Sequence, residues 1–302
     1  MKSKSLIRIV LLALTIVILL TGILFGIQYA QSKKAGTKTA STNSSSSSVR
    51  ALSSTSNTLD TSSGFKQAKW GDNVTISYNE NYLEYKSNGL PNHERPKFYA
   101  LPNANGNKIP TAATAFAGDD PSKAQYYDFK ISSHPSMATK TTPTSLGPIG
   151  VMISGAALFN PYEADNSTIA TASNFTVKDK DGNQVAFLDS CNGHPSPMGA
   201  YHYHALPTCI TSKIDQTSGP SHILGIAFDG FPIYGDKDMN GAQINANQLD
   251  SCNGINSKTL EFPSGIYHYV LLNVKDSTSS IRCFAGTVDS SLAQQMPGMG
   301  RR

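Results

Sequence analysis

Past residue 64 this 302-residue chain has no excess of positive charge. Residues 1–64 hold seven of the 25 Lys/Arg and a single acid, Asp60; residues 65–302 hold the other 18 against 20 acids, a balance of −2. The overall charge of +4 therefore belongs to the N-terminal segment. A folded part without a basic field argues against nucleic acid as a partner. Also missing are Cys-x-x-Cys, Gly-x-Ser-x-Gly, His-Glu-x-x-His and a phosphate-binding glycine loop, so no local nucleophile or nucleotide signature is present. A hydrolase built from scattered residues leaves no such mark and stays open. No long stretch shows a clean 3.6-residue period, which leaves room only for short helices, near residues 121–127 and 245–249.

What is present falls into unlike parts. Residues 9–27 are an uncharged apolar run of 19, long enough at about 1.5 Å per residue to span a hydrocarbon core of about 30 Å. Lys2, Lys4 and Arg8 precede it, which predicts a cytoplasmic N-terminus. The run is longer than a cleaved signal's apolar region, and Gln28-Tyr29-Ala30 is a poor cleavage site, so an uncleaved signal anchor is favoured over a cleaved signal peptide. Both place the remainder outside the cytoplasm, as a single-pass membrane protein or a secreted one. Residues 31–64 are Ser/Thr-rich and read as a disordered tether. The expected organisation is a cytoplasmic tip and transmembrane anchor over 1–30, the tether over 31–64, an extracytoplasmic domain over 65–288 and a flexible tail over 289–302. The membrane, through the N-terminal helix, is the one partner expected.

The domain reads as mainly β. Val74-Thr75-Ile76-Ser77-Tyr78 alternates apolar and polar. Residues 175–177 and 185–188 flank an Asp/Gly/Asn turn, and residues 223–228 and 231–234 flank Asp229-Gly230, so both pairs predict hairpins, with Pro232 weakening the second. All four cysteines (Cys191, Cys209, Cys252, Cys283) lie in this part. An even count outside the cytoplasm favours disulfides. Of the three possible pairings the local one, Cys191–Cys209 with Cys252–Cys283, is preferred.

An internal repeat is visible. Residues 188–193, Leu-Asp-Ser-Cys-Asn-Gly, recur at 249–254, and Gly199-Ala200-Tyr201-His202-Tyr203 recurs as Gly265-Ile266-Tyr267-His268-Tyr269. The expected architecture is a β-sandwich-like domain of two related Cys/Tyr-His-Tyr halves with two disulfides, and a site where the halves meet is one possibility.

The chemistry concentrates around Tyr201-His202-Tyr203-His204. On a strand both His point to one face and both Tyr to the other. Two same-face imidazoles can share a metal ion, and His194 is the natural third ligand, giving copper or zinc three nitrogens and an open position. His268 and His93 are further candidates. Asp189 and Asp229 are candidate ligands or groups that orient an imidazole. Tyr201 and Tyr203 are expected to pack with their hydroxyls paired beside the site. Asp236-Lys237-Asp238-Met239-Asn240-Gly241 resembles half a calcium loop, but Asn247 stands where the twelfth-position acid belongs, so it reads as a turn. The rival expectation makes the histidines core hydrogen-bonders of a non-catalytic surface or structural module. If a metal binds, a metal-dependent hydrolase or oxidoreductase is the other reading.

Together these residues resemble the YHYH-domain proteins. The resemblance rests on Asp189-x-Cys191-x-Gly193-His194, Gly199-x-Tyr201-His202-Tyr203-His204, the run 225–235, and the later Cys252 and Tyr267-His268-Tyr269 elements. Residues 87–93 and 146–151 also follow the pattern, so the resemblance covers roughly residues 72–288. It implies no particular activity; function has to come from the site. The second copy carries Ile255 and Val270 where the first has His194 and His204, which marks the first half as the functional one.

Overall fold

The computed structural model describes residues 59–103 and 109–293. The anchor expected over 9–27 and most of the tether and tail lie outside the described residues. No described helix is long and apolar enough to cross a membrane. Packing extends ahead of Phe65: Thr61 is buried and its N–H donates to the Ser133 carbonyl at 2.9 Å.

The described chain is mainly β, with seventeen strands and a few short helices. In chain order the first ten are β1 (Val74–Tyr78), β2 (Tyr82–Ser87), β3 (Phe98–Pro102), β4 (Ala115–Asp119), β5 (Tyr127–Ser132), β6 (Met137–Pro143), β7 (Pro148–Met152), β8 (Ala157–Phe159), β9 (Thr176–Lys178) and β10 (Gln184–Ala186). They are followed by β11 (Gly193–Pro195), β12 (Tyr201–Tyr203), β13 (Ile223–Ala227), β14 (Pro232–Tyr234), β15 (Gly254–Ser257), β16 (Ile266–Val270) and β17 (Cys283–Gly286). No helix forms at 121–127, where the chain is irregular before β5; a 3-10 turn, Ala246–Gln248, sits within 245–249.

The sheet that carries the chemistry has eight strands in the order β11-β12-β8-β7-β13-β14-β16-β15. Its two middle strands, Pro-Ile-Gly-Val-Met and Ile-Leu-Gly-Ile-Ala, are buried at every position, as apolar runs covered on both faces must be. They pair antiparallel, Val151 opposite Ile226. Outward from that pair the pairings are the same on both sides. Each middle strand forms an antiparallel hairpin (β7–β8, β13–β14), each hairpin's outer strand pairs parallel with a Tyr-His-Tyr strand (β12, β16), and each of those pairs antiparallel with the strand after the Cys turn (β11, β15).

Both hairpins expected from turn chemistry form, as β9–β10 and β13–β14. Gly230 turns the latter with φ +87, and a Cβ there would approach the Ser132 carbonyl oxygen to 2.5 Å, so both conformation and space call for glycine. Pro232 is the first residue of β14, where a strand tolerates it. The cysteines pair locally, Cys191–Cys209 and Cys252–Cys283.

Candidate metal centre

The Cys turn is built from one aspartate. Asp189 Oδ1 accepts from the N–H of Cys191 (2.8 Å) and Gly193 (3.2 Å). Asn192 then takes φ 59, a left-handed conformation that asparagine tolerates. Asp189 Oδ2 accepts from the hydroxyls of Tyr201 (2.7 Å) and Tyr99 (2.8 Å). The turn feeds β11, whose His194 lies opposite His202 of β12.

Strand alternation separates the two residue types. On one face, Tyr201 and Tyr203 are fully buried; the Tyr203 hydroxyl meets Ser154 Oγ at 2.9 Å and His93 Nε2 at 2.8 Å. On the other face His194, His202 and His204 are all buried, and their donor atoms lie within 4.8 Å of one another.

The tautomers follow from the partners. His202 Nδ1 sits 3.0 Å from the Ala200 carbonyl and His204 Nδ1 2.7 Å from that of Asn160. A carbonyl only accepts, so both rings carry hydrogen on Nδ1 and leave an Nε2 lone pair for the interior. Backbone carbonyls that fix the ring in this way are the usual support of metal-binding imidazoles. Burial pushes the pKa of His204 down to about 4, and burial with the neighbouring imidazoles pushes those of His194 and His202 well below the ordinary value. All three are neutral at pH 7, the state in which imidazole binds a metal.

His194 Nε2 and His204 Nε2 are 3.3 Å apart. Two donors bound at about 2.05 Å and at the tetrahedral angle would also be about 3.3 Å apart. Without an ion, one Nε2–H bridging the two nitrogens satisfies the same distance. The cluster is roofed by aromatics: Phe159 stacks on His202 at 3.8 Å between centroids, and Phe187, itself stacked on Phe175, packs edge-on against His194 at 4.4 Å.

The other candidates sit elsewhere. His93 is on the tyrosine face, with Nδ1 on the Glu94 carbonyl (2.9 Å) and Nε2 on Tyr203; alternation along β12 puts it on the opposite side of the strand from the His cluster. His268 is on β16, and β8, β7, β13 and β14 intervene between the two Tyr-His-Tyr strands in the sheet. The site expected where the halves meet therefore does not include it. Asp229 orients no imidazole. It is buried, and its Oδ2 accepts from the Tyr269 hydroxyl of β16 (2.5 Å) and the Gly286 N–H of β17 (2.9 Å). Asp189 and Tyr201 bond to each other and to the turn rather than to the cluster. The Asp236–Gly241 segment is a turn closed by Asp238 N–H to the Ala242 carbonyl at 2.9 Å. Asn160, Phe159 and Phe187 were not foreseen. A backbone carbonyl leaves no trace in sequence; Phe159 could have been found by placing Tyr234 at the matching end of the second hairpin.

No curated protein and no solved structure matches the chain. The family model described as YHYH protein matches residues 128–244, a span that holds the Cys turn, the three-histidine cluster and the middle strands of the large sheet, and the chain therefore carries a YHYH domain.

Proposed function

We infer that this chain is a metal-binding protein whose ion, zinc or copper, is held by His194, His202 and His204. One observation carries the reading: three buried imidazoles present converging donor atoms, and two of them have Nδ1 committed to backbone carbonyls. Three protein nitrogens leave a fourth position open to water or a small ligand. The roof of Phe159 and Phe187 favours holding or capturing the ion over acting on a bulky substrate. The apolar run 9–27 and its flanking basic residues support a membrane-tethered, extracytoplasmic placement, with which the two disulfides agree.

The repeat and the mirrored strand pairing support a domain of two related halves. A sandwich-like packing of the β1-β2-β5 sheet on the large sheet is supported by Phe129 against Phe228, 4.9 Å between centroids, and by the Tyr85 hydroxyl on the Met152 carbonyl.

Elemental analysis of the full chain purified without a polyhistidine tag tests the reading. About one equivalent of zinc or copper is expected, lost in His194→Ala and His204→Ala. Re-adding free ion at 100 times Kd to the chelated chain should raise stability by about 2.7 kcal/mol. No bound ion, together with a melting temperature indifferent to chelation and re-addition, would leave the histidines as hydrogen-bonded core residues of a structural module.

A further inference from the structure

The first half contains a second convergence of donor atoms, on the tyrosine face. A ring nitrogen of His93 and the sulfurs of Cys191 and Cys209 all lie within 4.8 Å of one another. The second disulfide has no counterpart to His93: among the described residues no third His, Cys, Asp or Glu donor joins Cys252 and Cys283 in such a group.

The Cys191–Cys209 pair has a route to solvent. Cys191 is buried, whereas Cys209 is half-buried and lines, with His93, Asp189 and Lys213, a cleft of about 940 Å³. Its two backbone segments are also held together without the sulfur–sulfur bond. Thr208 Oγ1 donates to the Ser190 carbonyl at 2.9 Å, Asn192 Nδ2 to that of Leu206 at 2.8 Å, and the His204 N–H to that of Asn192 at 3.1 Å. Asp189 fixes the Cys191 N–H independently. Cutting the disulfide therefore leaves two thiols held side by side.

The geometry points to a redox-gated metal site: reduction of Cys191–Cys209 turns the two cysteines and His93 into a Cys2His ligand set for a zinc-type divalent ion, open to the cleft at its fourth position. A dithiol supplies the electrons. Its thiolate attacks Cys209 Sγ from the cleft, the sulfur–sulfur bond breaks and Cys191 leaves as thiolate. The dithiol's second thiolate then releases Cys209 and closes the reductant to its own disulfide. The ion displaces the two thiol protons. Zinc–sulfur bonds of about 2.3 Å place two tetrahedral sulfurs about 3.8 Å apart, a separation the freed side chains can open to within the space the three donors occupy. His93 carries its hydrogen on Nδ1, donated to Glu94, so Nε2 holds the lone pair, now capped by the Tyr203 hydroxyl. On metal binding Tyr203 keeps Ser154 as its partner.

The test uses the full chain, reduced with dithiothreitol, desalted without oxygen and titrated with Co2+. A thiolate-to-cobalt charge-transfer band is expected in the reduced chain and absent from the oxidised one. The band should survive Cys252→Ser with Cys283→Ser, and also His204→Ala, which separates this site from the three-histidine cluster because nitrogen ligands give no such band. His93→Ala should weaken cobalt binding at least tenfold, and His93→Cys, which restores a donor, should recover it. No band in a reduced chain that keeps its near-ultraviolet circular dichroism would overturn the site. So would a band indifferent to His93→Ala, or loss of the fold on reduction.

Discussion

The turns Asp189–Gly193 and Asp250–Gly254 fold alike down to single hydrogen bonds, while the strands they feed differ in chemistry. Asp250 Oδ1 accepts from Cys252 and Gly254, its Oδ2 accepts from Tyr267, and Asn253 takes φ 70, each matching Asp189, Tyr201 and Asn192. His268 even repeats the Nδ1 bond of His202, to the Ile266 carbonyl at 3.0 Å. Yet His268 faces Ile255 across the ladder, and Val270 follows Tyr269. On the tyrosine face the second copy carries a buried carboxyl that the first copy lacks at the matching place. Where Tyr203 meets Ser154 and His93, Tyr269 meets the buried carboxyl of Asp229. One scaffold thus gathers three imidazoles around the first Tyr-His-Tyr strand and sets the Tyr269 hydroxyl of the second on a buried carboxyl. The shared Tyr-His-Tyr is framework, and the added residues are what distinguish the halves.

The largest effect should come from Asp229. Asp229→Ala strands three buried donors: the Tyr269 hydroxyl and the N–H groups of Gly286 and Phe231. At about 1–3 kcal/mol each, not fully additive, the loss should be on the order of 4 kcal/mol. Ser154→Ala at the matching place leaves Tyr203 its bond to His93 and should cost about 1 kcal/mol. Urea denaturation of both variants reads the difference directly; equal losses would erase the contrast between the tyrosine faces.

Acid should then separate the halves with opposite sign. His204 has a folded pKa of about 4 against an ordinary 6.5. The unfolded chain protonates first, so stability present above about pH 6.5 is lost as the pH falls toward 4, by on the order of 3 kcal/mol for this residue. His194 and His202 act in the same direction. Burial instead raises Asp229 to about 6 from 3.8, so its contribution is present below about pH 4 and lost as the pH rises through 6. Comparing the chelated wild type with the triple His194→Ala, His202→Ala, His204→Ala variant cancels the other titrating groups, Asp229 among them. The wild type should lose more stability than the variant between pH 7 and 4.5, and parallel curves would mean the imidazoles are not held neutral.

The smallest expected difference lies in the paired hairpin glycines. Gly265 has φ +95 and no atom nearer than 3.8 Å to an added Cβ, so Gly265→Ala should cost about 1 kcal/mol of conformational strain. Gly199 has φ +84 and would place a Cβ 2.7 Å from the Pro121 carbonyl oxygen, so Gly199→Ala should cost more. Thermal melts that rank them the other way would show that the segment before β5 yields easily and does not brace the His hairpin.

Much of this was legible in the chain itself. Asp-Ser-Cys-Asn-Gly encodes its turn through one carboxylate and one left-handed asparagine, contacts that span no more than four residues. Asp229-Gly230 marks its hairpin, and alternation in Tyr-His-Tyr-His already divides tyrosines from histidines. These are short-range relations, and composition and spacing carry them.

Which histidines meet is a different kind of fact. His93 and His268 are equally plausible ligands by residue type. The sheet order puts four strands between β12 and β16, and the loop before β3 delivers His93 to the tyrosine face. The Asn160 carbonyl that turns His204, the Phe159 and Phe187 roof, and the approach of His93 to Cys191 and Cys209 join residues from seven to more than a hundred positions apart. Local backbone preference determined the turns and the strand faces; only the burial of one continuous core, which sets strand order and loop paths together, decided which cysteines meet and which donors share a site.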